Sequence, residues 1–223
     1  MNFTSLKKPA FAMAVLGVLA SASAQANDLV ISPDLAAPSF TVDVSGSSKD
    51  VLATLFTVND QTTGTSFLAF CFELLQNMSA GAYVPPGLPY TAGSVVSAAT
   101  QALFNQSYAS IDLGSQAQVA GFQIALWETL DDSNRSSGTY TNWVGDTGSA
   151  VEINALAVAD ELLTKVRSGA PSTANYLLTT WNNATSQDLI QAVPGGNQVP
   201  EPSTALLGAL GLGSLVALRR RWN

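Results

Sequence analysis

The chain has 223 residues, 47% of them hydrophobic, and a formal net charge of −7. Five of its nine basic residues lie at the two ends (Lys7, Lys8, Arg219, Arg220 and Arg221), so the middle is more acidic than the whole and has no basic footprint for nucleic acid. Histidine is absent, which excludes a Ser-His-Asp triad, a Cys-His pair and every His-containing metal site, and removes the commonest acid–base group at neutral pH.

The N-terminus reads as a secretory signal peptide over residues 1–26. Lys7 and Lys8 precede a short apolar run at 10–20, and small residues then lead to an A-x-A site formed by Ala24 and Ala26. Cleavage is expected after Ala26, with one ordinary domain following from residue 27 to 193.

Three strands are expected at residues 39–44, 51–58 and 65–74, where β-branched and aromatic side chains are separated by Gly, Ser and Thr turns. Proline and glycine over 85–89 mark a loop. A helix is expected over 94–104. The next helix opens on the capping-box pattern Ser115-Gln116-Ala117-Gln118 and runs to about Leu130. Asp131 and Asp132 follow it, but no loop has calcium-motif spacing, so they read as a solvated turn and neither metal nor cofactor is expected. A third helix opens on Ser149-Ala150-Val151-Glu152. Its apolar stripe is Ala155, Leu156, Ala159, Leu162, Leu163 and Val166; Glu161 and Lys165 are spaced for an ion pair, and Gly169 and Pro171 end it. Strands at 175–181 and 187–193, joined by a polar loop at 182–186, complete an α+β pattern of sheet strands with an inserted helical portion.

Residues 194–199 read as a linker to a tail at 200–223. Pro200-Glu201-Pro202 opens the tail, an apolar stretch follows at 205–218, and Arg219, Arg220 and Arg221 close the stretch. About 20 apolar residues are needed to span a bilayer as a helix, so the stretch is a weak membrane helix whose arginines favour the cytoplasmic side. This combination resembles the PEP-CTERM sorting signal. The resemblance implies a Gram-negative bacterium, transient anchoring in the inner membrane, and removal of the tail by an exosortase. It also implies delivery to the cell surface or matrix, in systems that accompany exopolysaccharide and biofilm formation.

Two residues stand out within the domain. Cys71 is the single cysteine of a chain expected in an oxidising compartment, so it has no internal disulfide partner. Strand alternation puts Leu68, Phe70, Phe72 and Leu74 on one face and Cys71 with Phe67, Ala69 and Glu73 on the other. A small buried core residue is the plain reading of the thiol. Gln123 has only apolar helical neighbours (Val119, Ala120, Leu126 and Trp127), so its carboxamide is expected to be buried and to need partners. Either a hydrogen bond to a loop backbone satisfies the amide, or reaction with Cys71 consumes it.

Phe70-Cys71-Phe72 on a strand, followed later by Phe122-Gln123-Ile124-Ala125-Leu126-Trp127 on a helix, resembles the thioester domains of bacterial surface adhesins. The motif departs from theirs in having Phe122 where a Thr often precedes the glutamine. The resemblance extends from about residue 67 to 193 and also covers PEP-CTERM proteins with a similar helix. It implies a barrel- or sandwich-like fold and an internal Cys71–Gln123 thioester shielded by Phe70, Phe72 and Trp127. Surface amines or hydroxyls, on polysaccharide or protein, would be its covalent targets. Glu73 and Glu128 are candidates for proton handling, although both read first as surface acids. The alternative is a non-covalent structural or carbohydrate-associated matrix protein with a free buried cysteine. No enzyme motif is visible.

Overall fold

The computed structural model describes residues 26–195. Ala24, the residues 1–25 that precede the domain, and the tail with Pro200, Glu201, Pro202 and Arg219 to Arg221 lie outside the described residues. Among those described, no helix is long and apolar enough to cross a membrane.

The chain forms a mixed α/β domain with a closed barrel of six strands. The strands are β1 (Ala26–Pro33), β4 (Leu55–Asp60), β5 (Thr65–Cys71), β6 (Leu88–Gly93), β8 (Tyr176–Asn182) and β9 (Leu189–Pro194). Their order around the barrel is β1-β4-β5-β9-β8-β6, and every neighbouring pair is antiparallel. A second, three-stranded sheet has the order β3-β2-β7, from β2 (Ser39–Val44), β3 (Ser47–Leu52) and β7 (Tyr140–Gly145). The helices are α1 (Ala98–Ser107), α2 (Gln116–Glu128) and α3 (Ala150–Ser168).

The strand expected at 51–58 is two strands in two sheets. Leu52 pairs with Ser39 in the small sheet, whereas Leu55 pairs with Phe70 in the barrel. Ala53, Thr54, Leu55 and Phe56 are buried in succession, so alternation fails where the chain changes sheet, and Thr54 Oγ1 turns aside to donate to the Leu35 carbonyl. The strand expected at 65–74 stops at Cys71, so the face assigned to Phe72 and Leu74 is not a strand face. Three further strands, β1, β6 and β7, lie where none is expected. β6 contains Pro89 and Gly93, residues that weaken a strand signal, and β7 carries Asn142 at φ +55°. β1 begins at the expected cleavage residue: Ala26 pairs with Thr91 and Asn27 with Tyr90.

α3 follows its sequence pattern closely. Ser149 and Glu152 make both halves of the capping box, Gly169 ends the helix in the left-handed conformation at φ +64°, and Lys165 meets Glu161 at 2.8 Å. α2 uses only half of its box. Ser115 accepts from the Gln118 N–H, but the Gln118 carboxamide instead accepts from the backbone of Asp112. α2 is buried on all sides from Val119 to Glu128. A Cβ on Gly121 would fall 2.7 Å from both the Ala155 carbonyl oxygen and the Val158 side chain, so the absence of a side chain there lets α2 lie hard against α3. On another side Phe122 joins Phe70, Phe104 and Tyr108 in an aromatic cluster with ring centroids 4.9–6.2 Å apart. That packing ties the middle of α2 to the end of β5.

Candidate functional site

The barrel leaves a gap beside the last residue of β5. β4 begins at Leu55, opposite Phe70, so no β4 residue pairs with Cys71. The other edge of β5 is occupied, with Cys71 opposite Leu189 on β9 and the Phe72 N–H donating to the Asp188 carbonyl. Gln123, projecting from α2, fills the gap with its carboxamide. The Cys71 N–H donates to Gln123 Oε1 at 2.9 Å, and Gln123 Nε2 donates to the Cys71 carbonyl at 2.8 Å. Both residues are buried, Gln123 completely. The amide is thus satisfied by backbone, but by the strand end at Cys71 and not by a loop.

The thiol is buried at 3% exposure, and the Sγ–H donates to Gln187 Oε1 at 2.8 Å. Burial pushes the Cys71 thiol far above its ordinary range, and the negative charge of Glu73 pushes the same way. Gln187 is itself pinned. Its Nε2 donates to the Glu73 carbonyl, its backbone N–H donates to the Asn77 carbonyl, and its carbonyl accepts from the Tyr90 hydroxyl. Sequence reasoning missed Gln187: it stands at the start of the strand expected at 187–193, but β9 begins at Leu189 and Gln187 lies in the loop before it, with no periodic neighbours to mark it as buried.

Cys71, Gln187, Trp127, Phe56, Met78 and Tyr83 line a cavity of about 290 Å3. Trp127 shares this cavity with the thiol, and among the described residues its buried indole N–H has no partner. Phe70 and Phe72 are placed differently. Phe70 belongs to the aromatic cluster with Phe122, and half-buried Phe72 is not part of the cavity wall.

The two candidate acids also divide. Glu73 is half-buried, its carboxyl raised by burial, and it accepts from the Asp188 N–H. Glu128 is not a surface acid: it is fully buried, and its carboxyl is pushed up to about 8. Burial is the main cause and nearby Asp132 and Asp131 add to it, while the hydrogen bond from Trp143 Nε1 opposes it. Trp143 donates to Glu128 Oε1 at 2.5 Å and stacks on Trp127 with centroids 6.0 Å apart. Glu128 is not itself part of the cavity wall. Carboxylate oxygens of Glu128, Asp131 and Asp132 lie within 4.8 Å of one another. Asp131 accepts from the backbone of Thr139 and Tyr140, and Asp132 accepts from Asn134 and Ser137, so both hold a turn, as the sequence led one to expect.

The PEP-CTERM protein-sorting motif matches residues 198–221. No curated protein matches the chain. Among solved structures it is similar to the N-terminal domain of the pilus tip adhesin Cpa from Streptococcus pyogenes, at 16% identity and a TM-score of 0.40, covering 78% of this chain and all of that one. It is also similar to the N-terminal thioester domain of the fibronectin-binding protein SfbI from Streptococcus pyogenes (16% identity, TM-score 0.37, 73% of this chain and 97% of that one). A third likeness is to the N-terminal thioester domain of a surface protein from Clostridium perfringens (14% identity, TM-score 0.39, 70% and 99%).

Proposed function

We propose that this is an exported, exosortase-sorted protein of the cell surface or extracellular matrix, in which Cys71 and Gln123 close an internal thioester that attaches it covalently to its surroundings. One observation carries the chemistry: the Gln123 carboxamide is bonded on both sides to the backbone of Cys71. Proximity of this kind can replace an external catalyst.

The step balances without a co-reactant. Cys71 Sγ turns from Gln187 to the Gln123 carbonyl carbon, the S–C bond forms and the C–N bond breaks. The thiol proton leaves on nitrogen as ammonia. The Cys71 N–H already donates to the oxygen that gains negative charge as sulfur adds, so the residue supplies its own oxyanion donor. Burial disfavours a free thiolate, which ties sulfur attack to delivery of its proton to the leaving nitrogen.

An amine or hydroxyl of a surface protein or polysaccharide then attacks the acyl carbon, leaving an amide or ester. The protein is a single-use coupling agent in this reading and not an enzyme. Signal cleavage after Ala26 and exosortase removal of the tail after transient membrane anchoring would deliver it, and association with exopolysaccharide or biofilm is the setting that the sorting motif favours. Methylamine should add to the purified wild-type protein at Gln123 and fail to add to Cys71→Ala.

A second reading rests on the same two hydrogen bonds. Gln123 fully pairs the end of β5, so a free thiol on a non-covalent matrix domain also satisfies every polar group of that pair.

A further inference from the structure

Gln187 is held more tightly beside the thiol than thioester formation alone requires. Its Oε1 accepts the Cys71 thiol proton, its Nε2 is held by the Glu73 carbonyl, and its main chain is fixed by Asn77 and Tyr90. The carboxamide cannot exchange its two ends without setting an N–H against the thiol proton and its oxygen against a carbonyl. Oε1 therefore stays directed at sulfur from the wall of the cavity. Once sulfur is acylated it carries no proton, and this buried oxygen loses its donor. A buried acceptor without a donor is unfavourable until another N–H or O–H reaches it.

We infer that Gln187 is the nucleophile-positioning residue of this site: with the thioester closed, its Oε1 accepts a hydrogen bond from the attacking amine or hydroxyl and holds it beside the Gln123 acyl carbon. This rests on the thioester reading and deepens it. In the attack the new N–C or O–C bond forms, the C–S bond breaks, and the nucleophile's proton passes to sulfur. The restored Sγ–H then donates to Gln187 Oε1, which is the bond observed here. The same oxygen thus accepts the travelling proton's hydrogen bond before and after the step, and the acceptor need not move.

The test compares the full chain, purified as wild type, Gln187→Met and Gln187→Glu, by intact mass, thermal midpoint and the second-order rate of methylamine addition. Met fills the space without an acceptor, and Glu in its protonated form keeps one while its O–H still donates to the Glu73 carbonyl. The expected result is a closed bond in all three, lighter than the open form by one ammonia. Methylamine addition should be slowed at least about tenfold in Gln187→Met, the effect of one lost hydrogen bond to the attacking group, and restored in Gln187→Glu. Addition to closed Gln187→Met at the wild-type rate would overturn the assignment while leaving the thioester standing. So would a Gln187→Met protein with the wild-type thermal midpoint that never closes the bond, since Gln187 would then serve closure only. A wild-type protein with no closed bond would remove the thioester reading, and this assignment with it.

Discussion

The side chain of Gln123 takes the place of a strand residue beside Cys71, meeting both its N–H and its carbonyl at 2.9 and 2.8 Å where β4 gives no partner. This explains on structural grounds why an amide sits among the apolar neighbours Val119, Ala120, Leu126 and Trp127 of α2. It also places a carbonyl carbon against the neighbourhood of the chain's single thiol.

The first prediction concerns that pairing. Gln123→Leu leaves a buried N–H and a buried carbonyl on Cys71 without partners, each worth about 1–3 kcal/mol. Chemical denaturation should show a loss of at least about 2 kcal/mol. Cys71→Ala retains the backbone bonds and should cost less than Gln123→Leu. The reverse ranking would mean that the pairing contributes little to stability.

Glu128 predicts a pH dependence. Its carboxyl is pushed up to about 8 in the folded protein, well above the unfolded value. The folded state therefore binds the extra proton, and the resulting stability is fully present below the unfolded pKa, near 4.5, and is lost as pH rises through about 8. Glu128→Gln keeps an oxygen for the Trp143 N–H and removes the titration. Thermal midpoints measured from pH 5 to 9 should fall for wild type and fall less for Glu128→Gln; parallel curves would contradict this.

Gly121→Ala separates packing from propensity. Alanine is favoured over glycine in a helix by about 1 kcal/mol. Here its Cβ would meet α3 at 2.7 Å, and overpacking of that kind costs about 1–3 kcal/mol. Because the contact includes backbone oxygen of Ala155, which has little room to yield, the variant should unfold at lower denaturant than wild type. A higher midpoint would show that α2 and α3 can part without cost.

Legibility in the sequence followed the locality of the signal. α3 was readable nearly in full, because its box, stripe, ion pair and αL glycine are all fixed by spacing within one helix. The buried state of Gln123 was readable for the same reason. The division of 51–58 between two sheets was not, since it depends on which distant strands, Ser39–Val44 or Thr65–Cys71, each half pairs with. β6 was hidden by Pro89 and Gly93, tolerated because the strand is short and its partners β1 and β8 supply the context. Within the site, Cys71, Gln123 and Trp127 carry recognisable patterns. Gln187 and the Glu128–Trp143 contact are tertiary, and no local pattern marks either.

The central claim is that sulfur and carboxamide exchange their present hydrogen bonds for a covalent one, and the most direct measurement is intact mass of the purified protein combined with alkylation after denaturation. The expected mass is one ammonia below that of the open chain, with a Cys71 that resists the alkylating reagent even when unfolded, until methylamine or hydroxylamine frees it. A full-mass protein whose Cys71 alkylates as soon as it unfolds, with no prior nucleophile, would contradict the thioester and leave a buried thiol on an exported domain.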